Sequence, residues 1–260
     1  MNIALPLFLL VSVYVYATLI WRISARARAT VDLSEKTFGL PEAIFATALS
    51  LFFLLGALGS LTSGTKQISD RVLAENLVFT LGIVVLITGL LRLRGFHVTL
   101  LAGFAKTSFA RAALTGAALL IAAYPLIGLA DAITQRALGS GSSKQTIVEL
   151  FNSSRTIDRR IMIIIFAVAI APAAEEFLFR FFFYGVLRRY LGRFVGLVLN
   201  SLLFAAVHAH LPSFAPLFVL GSCFTIAYEW SGTILVSMTM HALFNAVSLT
   251  VLAFPEMFPQ

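Results

Sequence analysis

Long apolar runs separated by short polar breaks dominate the chain. They lie at about Ile3–Trp21, Pro41–Leu61, Val72–Leu91, Phe109–Ile133, Ile161–Leu187, Phe194–Leu211, Ala215–Tyr228 and Thr233–Ala253. A helix needs about 20 apolar residues to cross the hydrocarbon of a bilayer, so the pattern predicts an all-α, polytopic transmembrane bundle of about eight spans. Ala215–Tyr228 is the weakest of the eight, short enough to be tilted or partly re-entrant. The first run has no Lys or Arg before it and Arg22, Arg26 and Arg28 after it. A cleavable signal requires a basic start and a small-residue cleavage site, so this run reads as a retained span.

The longest polar break, 134–160, contains Gly139-Ser140-Gly141-Ser142-Ser143 and reads as a flexible extramembrane connection. It divides the chain into N-terminal membrane helices (1–133) and a C-terminal membrane core (161–260). Chemically unusual positions fall in the second part.

Composition agrees with the pattern. Hydrophobic residues make up 59% of the chain and charged residues 12%, with a mean hydropathy of +0.94; soluble domains carry about 45–50% and about 25%. The excess of 19 Lys+Arg over 12 Asp+Glu would suggest nucleic acid in a soluble protein. Here the basic residues sit mainly between apolar runs, the pattern of membrane topology, and no nucleic-acid partner is expected. Basic residues concentrate after the first, third and fifth runs, at Arg22 to Lys36, Arg92 to Arg111 and Arg188 to Arg193. The positive-inside rule then puts both termini outside the cytoplasm. The single cysteine, Cys223, lies in an apolar run, excludes an intramolecular disulfide and reads as a small core residue.

Within the fifth run stand Glu175, Glu176 and Arg180. Ionisable groups inside a membrane segment cost several kcal/mol unless paired or hydrated, which makes them candidates for function. Glu176 and Arg180 are four residues apart and share a helix face, so they are expected to form an ion pair. Glu175 is rotated by about 100°, which leaves it for another partner. Pro172, one turn earlier, removes a helical hydrogen bond and predicts a bend beside the site. His208 follows Phe204 by four residues, and His241 precedes Asn245 by four. Either pair alone would serve as polar glue between helices; all three stations within the last four runs point to shared chemistry. His210, beside Pro212, reads as an interfacial residue.

A free carboxylate, two imidazoles and an amide suit activation of water for attack on a carbonyl. The carboxylate takes the proton, while imidazoles and amide hold the water and the oxyanion. The same side chains offer a zinc alternative, with His208, His241 and a carboxylate as ligands. No HExxH spacing favours it.

The run Ala171-Pro172-Ala173-Ala174-Glu175-Glu176-Phe177-Leu178-Phe179-Arg180 resembles the EExxxR motif of the CAAX protease and bacteriocin-processing family, which includes the Ras-converting endopeptidases. Phe204 to His208 resembles its FxxxH motif, and His241 to Asn245 its HxxxN motif, in the same order. The resemblance covers about Ile161 to Val251. It implies that Glu175 is the general base, that His208, His241 and Asn245 position water or oxyanion, and that Glu176 and Arg180 support them. It also implies a glutamate-type site without bound metal. Phe181 departs from the pattern, which commonly has Gly after the Arg.

The expectation is thus a multi-pass integral membrane endopeptidase, in the cell membrane if the host is bacterial or archaeal. It would act on a CAAX-like, lipidated or otherwise membrane-associated peptide, with no cofactor. Alternatives are a non-catalytic membrane binding or immunity protein, a zinc-dependent form of the same protease, and, less favoured, a transporter with a proton-relay carboxylate.

Overall fold

The structure, a computed structural model, describes residues 4–29, 37–62, 70–138 and 156–254. Among them there is no strand, and the elements follow one another as helices. α1 is Ala4–Ala29, α2 Leu40–Thr62, α3 Asp70–Leu93, α4 the single turn Val98–Leu101, and α5 Phe109–Leu138. α6 is one continuous helix, Ile157–Leu191. α7 is Arg193–Val207, α8 Phe214–Ser231 and α9 Ile234–Ala253.

Seven of these helices are long and apolar enough to cross a membrane, and the described outer faces carry exposed residues such as Leu5, Leu55, Val85 and Leu114. Leucine, valine and phenylalanine side chains turned outward along whole helices suit hydrocarbon as their solvent. The protein is an integral, multi-pass membrane helix bundle. One expectation needs correcting. Ala215–Tyr228 lies within the full 21-residue apolar segment Leu211–Ser231, whereas the run from Phe194 yields the short helix, α7, of 15 residues. α7 stops because Ala209 adopts a left-handed φ of 49°, the usual conformation just past a helix end, with Pro212 close behind. The predicted connection is also shorter than expected, because α5 runs on to Leu138 and α6 starts at Ile157. The Gly139 to Ser143 stretch lies outside the described residues.

α5 packs against α8, α9 and α1, and α7 lies along α8 and the end of α6. Polar clasps fix the ends. Buried Glu42 accepts the Gly39 N–H at 2.6 Å and pairs with Arg94 Nε at 2.6 Å, tying the start of α2 to the end of α3. Glu229 of α8 takes Arg188 at 2.8 Å, Arg193 at 2.7 Å and the Tyr184 hydroxyl at 3.1 Å, so two of the arginines that mark topology also join α6, α7 and α8. Arg26 Nη1 donates to the Trp230 carbonyl at 2.9 Å, and Ile234 N–H to Ala102 at 2.9 Å. These contacts gather the basic end of α1 and the end of α4 at the α8–α9 turn.

At that turn Gly103 has a φ of +73°, and a Cβ there would strike the Gly232 carbonyl and Thr233 Cα. Neither backbone can give way. Gly103→Ala should therefore lose at least about 1–2 kcal/mol, the cost of left-handed backbone alone. A wild-type thermal unfolding curve for the variant would contradict this close approach.

α6 departs from a regular α-helix in two places. It is π-helical over Phe166–Ile170, α-helical over Ala171–Glu176, and π-helical again over Phe177–Phe183. Every side chain from Phe177 to Phe183 is buried. Phe181 contacts Phe177 at 5.0 Å and Phe38 at 5.9 Å between ring centroids, so the departure from glycine serves packing against the lead into α2.

Candidate active site

The two carboxylates sit on the one α-helical stretch of α6 enclosed by π-turns, a placement π-turns often take at functional sites. Glu176 is fully buried, and its Oε1 meets Arg180 Nη1 at 3.0 Å, the pair expected from the spacing. The same oxygen lies 3.0 Å from His241 Nδ1, so α9 is joined to the pair. Arg180, also fully buried, donates from Nη2 to the Gly221 carbonyl at 3.3 Å. Its guanidinium carbon lies 4.4 Å from the Phe204 centroid and 5.1 Å from that of Phe224. Ring faces hold a desolvated cation where hydrogen-bond acceptors are few.

Glu175 is different in kind. Its side chain is 30% exposed, and it faces His241, whose Nε2 stands 3.9 Å from Oε2. That gap exceeds direct hydrogen-bond reach. His241 itself is 4% exposed and rests on Phe224, ring centroids 5.0 Å apart. With Nδ1 donating to the Glu176 carboxylate, the imidazole turns Nε2 toward Glu175.

His208 stands at the end of α7, exposed, with Nδ1 2.6 Å from the Phe204 carbonyl. A carbonyl only accepts, so Nδ1 carries the proton and Nε2 is left free. The imidazole thereby also caps one of the helix's last carbonyls. Among the described residues no contact joins His208 to the carboxylates directly; the Phe204 ring neighbours both imidazoles, its centroid 4.7 Å from that of His208 and 5.9 Å from that of His241. Asn245 donates from Nδ2 to the Ala167 carbonyl at 2.8 Å. His210, outside the spans, has its Nδ1 2.7 Å from Ser213 Oγ, and partial burial holds its pKa below the ordinary value.

Spacing alone did not reveal Phe224, which touches both His241 and Arg180 from α8. An isolated Phe in an apolar run carries no signal of this kind. Among the described residues no group of three His, Cys, Asp or Glu side chains gathers as metal ligands do.

Residues 158–247 match the family model described as Type II CAAX prenyl endopeptidase Rce1-like. The uncharacterized protein YpbD of Bacillus subtilis (strain 168) is 38% identical over 93 residues, which are 34% of this chain and 45% of that protein. The match thus spans under half the length of that relative. No solved structure matches the chain. The matched segment, about a third of the chain, holds all three motifs in order, together with the carboxylate, imidazole and amide groups described above, and there the protein is similar to the CAAX prenyl endopeptidases.

Proposed function

We propose that the protein is an intramembrane endopeptidase in which Glu175 activates a water for attack on a peptide bond. The observation that carries this reading is the facing pair, Glu175 Oε2 and His241 Nε2, 3.9 Å apart. With His241 neutral in this reading, the two are acceptors side by side, which one molecule that donates two hydrogens satisfies. A water about 2.8 Å from each fits beside them. Glu176 is unsuited to the same task, because its charge is already engaged by Arg180 and His241.

In the proposed reaction Glu175 takes one proton as the water oxygen bonds to the scissile carbonyl carbon, and the carbonyl electron pair moves onto its oxygen. Asn245 keeps a second amide N–H for the water or the oxyanion, and His208, its Nδ1 proton held by the Phe204 carbonyl, would donate to the oxyanion from Nε2 once protonated there. Collapse of the adduct breaks the C–N bond, Glu175 returns its proton to the leaving amine, and a carboxylate and a new amino terminus result. Similarity to prenyl endopeptidases supports a CAAX-like tail, or another lipidated or membrane-associated peptide, as substrate. Comparing the membrane peptidomes of cells carrying wild type and Glu175→Gln tests the reading. A peptide cut only by wild type supports it, and identical peptidomes oppose it.

The zinc alternative requires His208, His241 and a carboxylate within about 2.0–2.2 Å of one ion. The donor set fits this poorly, since among the described residues no three such side chains gather and Arg180 stands against Glu176. We expect substoichiometric zinc in protein purified without added metal, and cleavage that survives prolonged chelation. Stoichiometric zinc, lost and restored together with activity, would reverse the assignment.

A further inference from the structure

The hydrogen bond from Asn245 to Ala167 has a cause within α6. In the first π-turn the Ala171 N–H reaches back five residues to the Phe166 carbonyl. The next residue is Pro172, which has no N–H to return to Ala167. The Ala167 carbonyl therefore lacks that helix donor, at a depth where an unsatisfied backbone group is costly. Asn245 supplies the donor from α9, at 2.8 Å.

We infer that Pro172 is a positioning residue for Asn245: by leaving the Ala167 carbonyl open it anchors one amide N–H of Asn245, and so fixes the direction of the rest of the group. An amide is planar, so once one N–H is held, the second N–H and Oδ1 can point only one way. Those are the two functions Asn245 has left for water or substrate. The inference rests on the proposed cleavage reaction and adds a residue to it that touches neither substrate nor water. It also accounts for a proline inside a membrane helix one turn before the paired carboxylates.

Two double-mutant cycles test it, with Pro172→Ala and Asn245→Ala made singly and together in the full chain, purified in nanodiscs. The first cycle reads thermal unfolding and needs no substrate. Asn245→Ala should lower the melting midpoint in the Pro172 background and lower it much less once residue 172 carries an N–H. Equal drops in both backgrounds would show that Pro172 does not govern this bond.

The second cycle reads cleavage of an internally quenched, prenylated CAAX peptide, with Glu175→Gln as the inactive control. Pro172→Ala should reduce kcat about 10-fold or more with little change in KM, as loss of orientation does, while its melting midpoint rises. Asn245→Ala should then add little in the Pro172→Ala background. A proline acting only through packing, or through displacement of Glu175, would give losses that multiply, and that result would end the inference while leaving the cleavage reading intact. If wild type and Glu175→Gln leave the peptide equally whole, the cleavage reading fails and the positioning role falls with it.

Discussion

Glu175→Gln should lower turnover by at least about 10²-fold, the small end of what a general base contributes, while the variant inserts, folds and melts as wild type does. The amide has the shape of the carboxylate and keeps its packing. What it loses is the ability to take a proton from a water shared with His241 Nε2, 3.9 Å away in the native protein. The partial exposure of this side chain matters to the prediction, since no fully buried partner is stranded by the change. A non-catalytic binding protein would tolerate the substitution. Purified Glu175→Gln with wild-type kcat would remove the residue from the chemistry.

The opposite profile is expected one residue further on. Arg180→Ala leaves the buried Glu176 carboxylate with His241 alone, and Glu176→Ala leaves the guanidinium with the Gly221 carbonyl and the faces of Phe204 and Phe224. Breaking a buried pair by removing one partner costs about 3–5 kcal/mol. Total stability is typically about 5–15 kcal/mol, so either variant should yield little folded protein. The double variant should recover part of the loss, because neither charge is then stranded. Thermal unfolding of all three decides the matter: single variants that melt like wild type, or a double variant no better than the worse single, would show that the pair carries no such energy.

These two effects separate along lines partly legible in the sequence. Four-residue spacing placed Glu176 against Arg180, and an apolar run around three charges marked the segment, because helix geometry and desolvation act locally. What lay beyond reach was backbone register. The π-turns on either side of Ala171–Glu176 arise from competition among carbonyls for N–H donors, and hydropathy does not report that competition. Pro172 was a visible signal, read as a bend; its effect is an open carbonyl that Asn245 fills from another helix.

His208 shows a similar limit. Its motif groups it with the carboxylates, and spacing does not report that its Nδ1 closes the end of its own helix while its ring packs on Phe204. The weakest span was assigned to Ala215–Tyr228 because apolar content decided the reading, whereas the turn chemistry of Ala209 and Pro212 shortened the helix before it.

That shortened helix bears on the surrounding lipid. α7 has 15 residues, about 22 Å of rise, and turns Phe194, Val195, Val198, Leu199 and Leu202 outward. Hydrocarbon beside full-length helices is about 30 Å deep. A short apolar face is matched by local thinning of the leaflets, and the non-helical turn after Val207, with His208 at its start, is tolerated at that depth only against protein or water. A membrane drawn in beside α7 would bring headgroups and their water toward His208. Under the proposed cleavage reading, acyl-chain length in the host bilayer would thereby set how far a tethered peptide descends to meet Glu175.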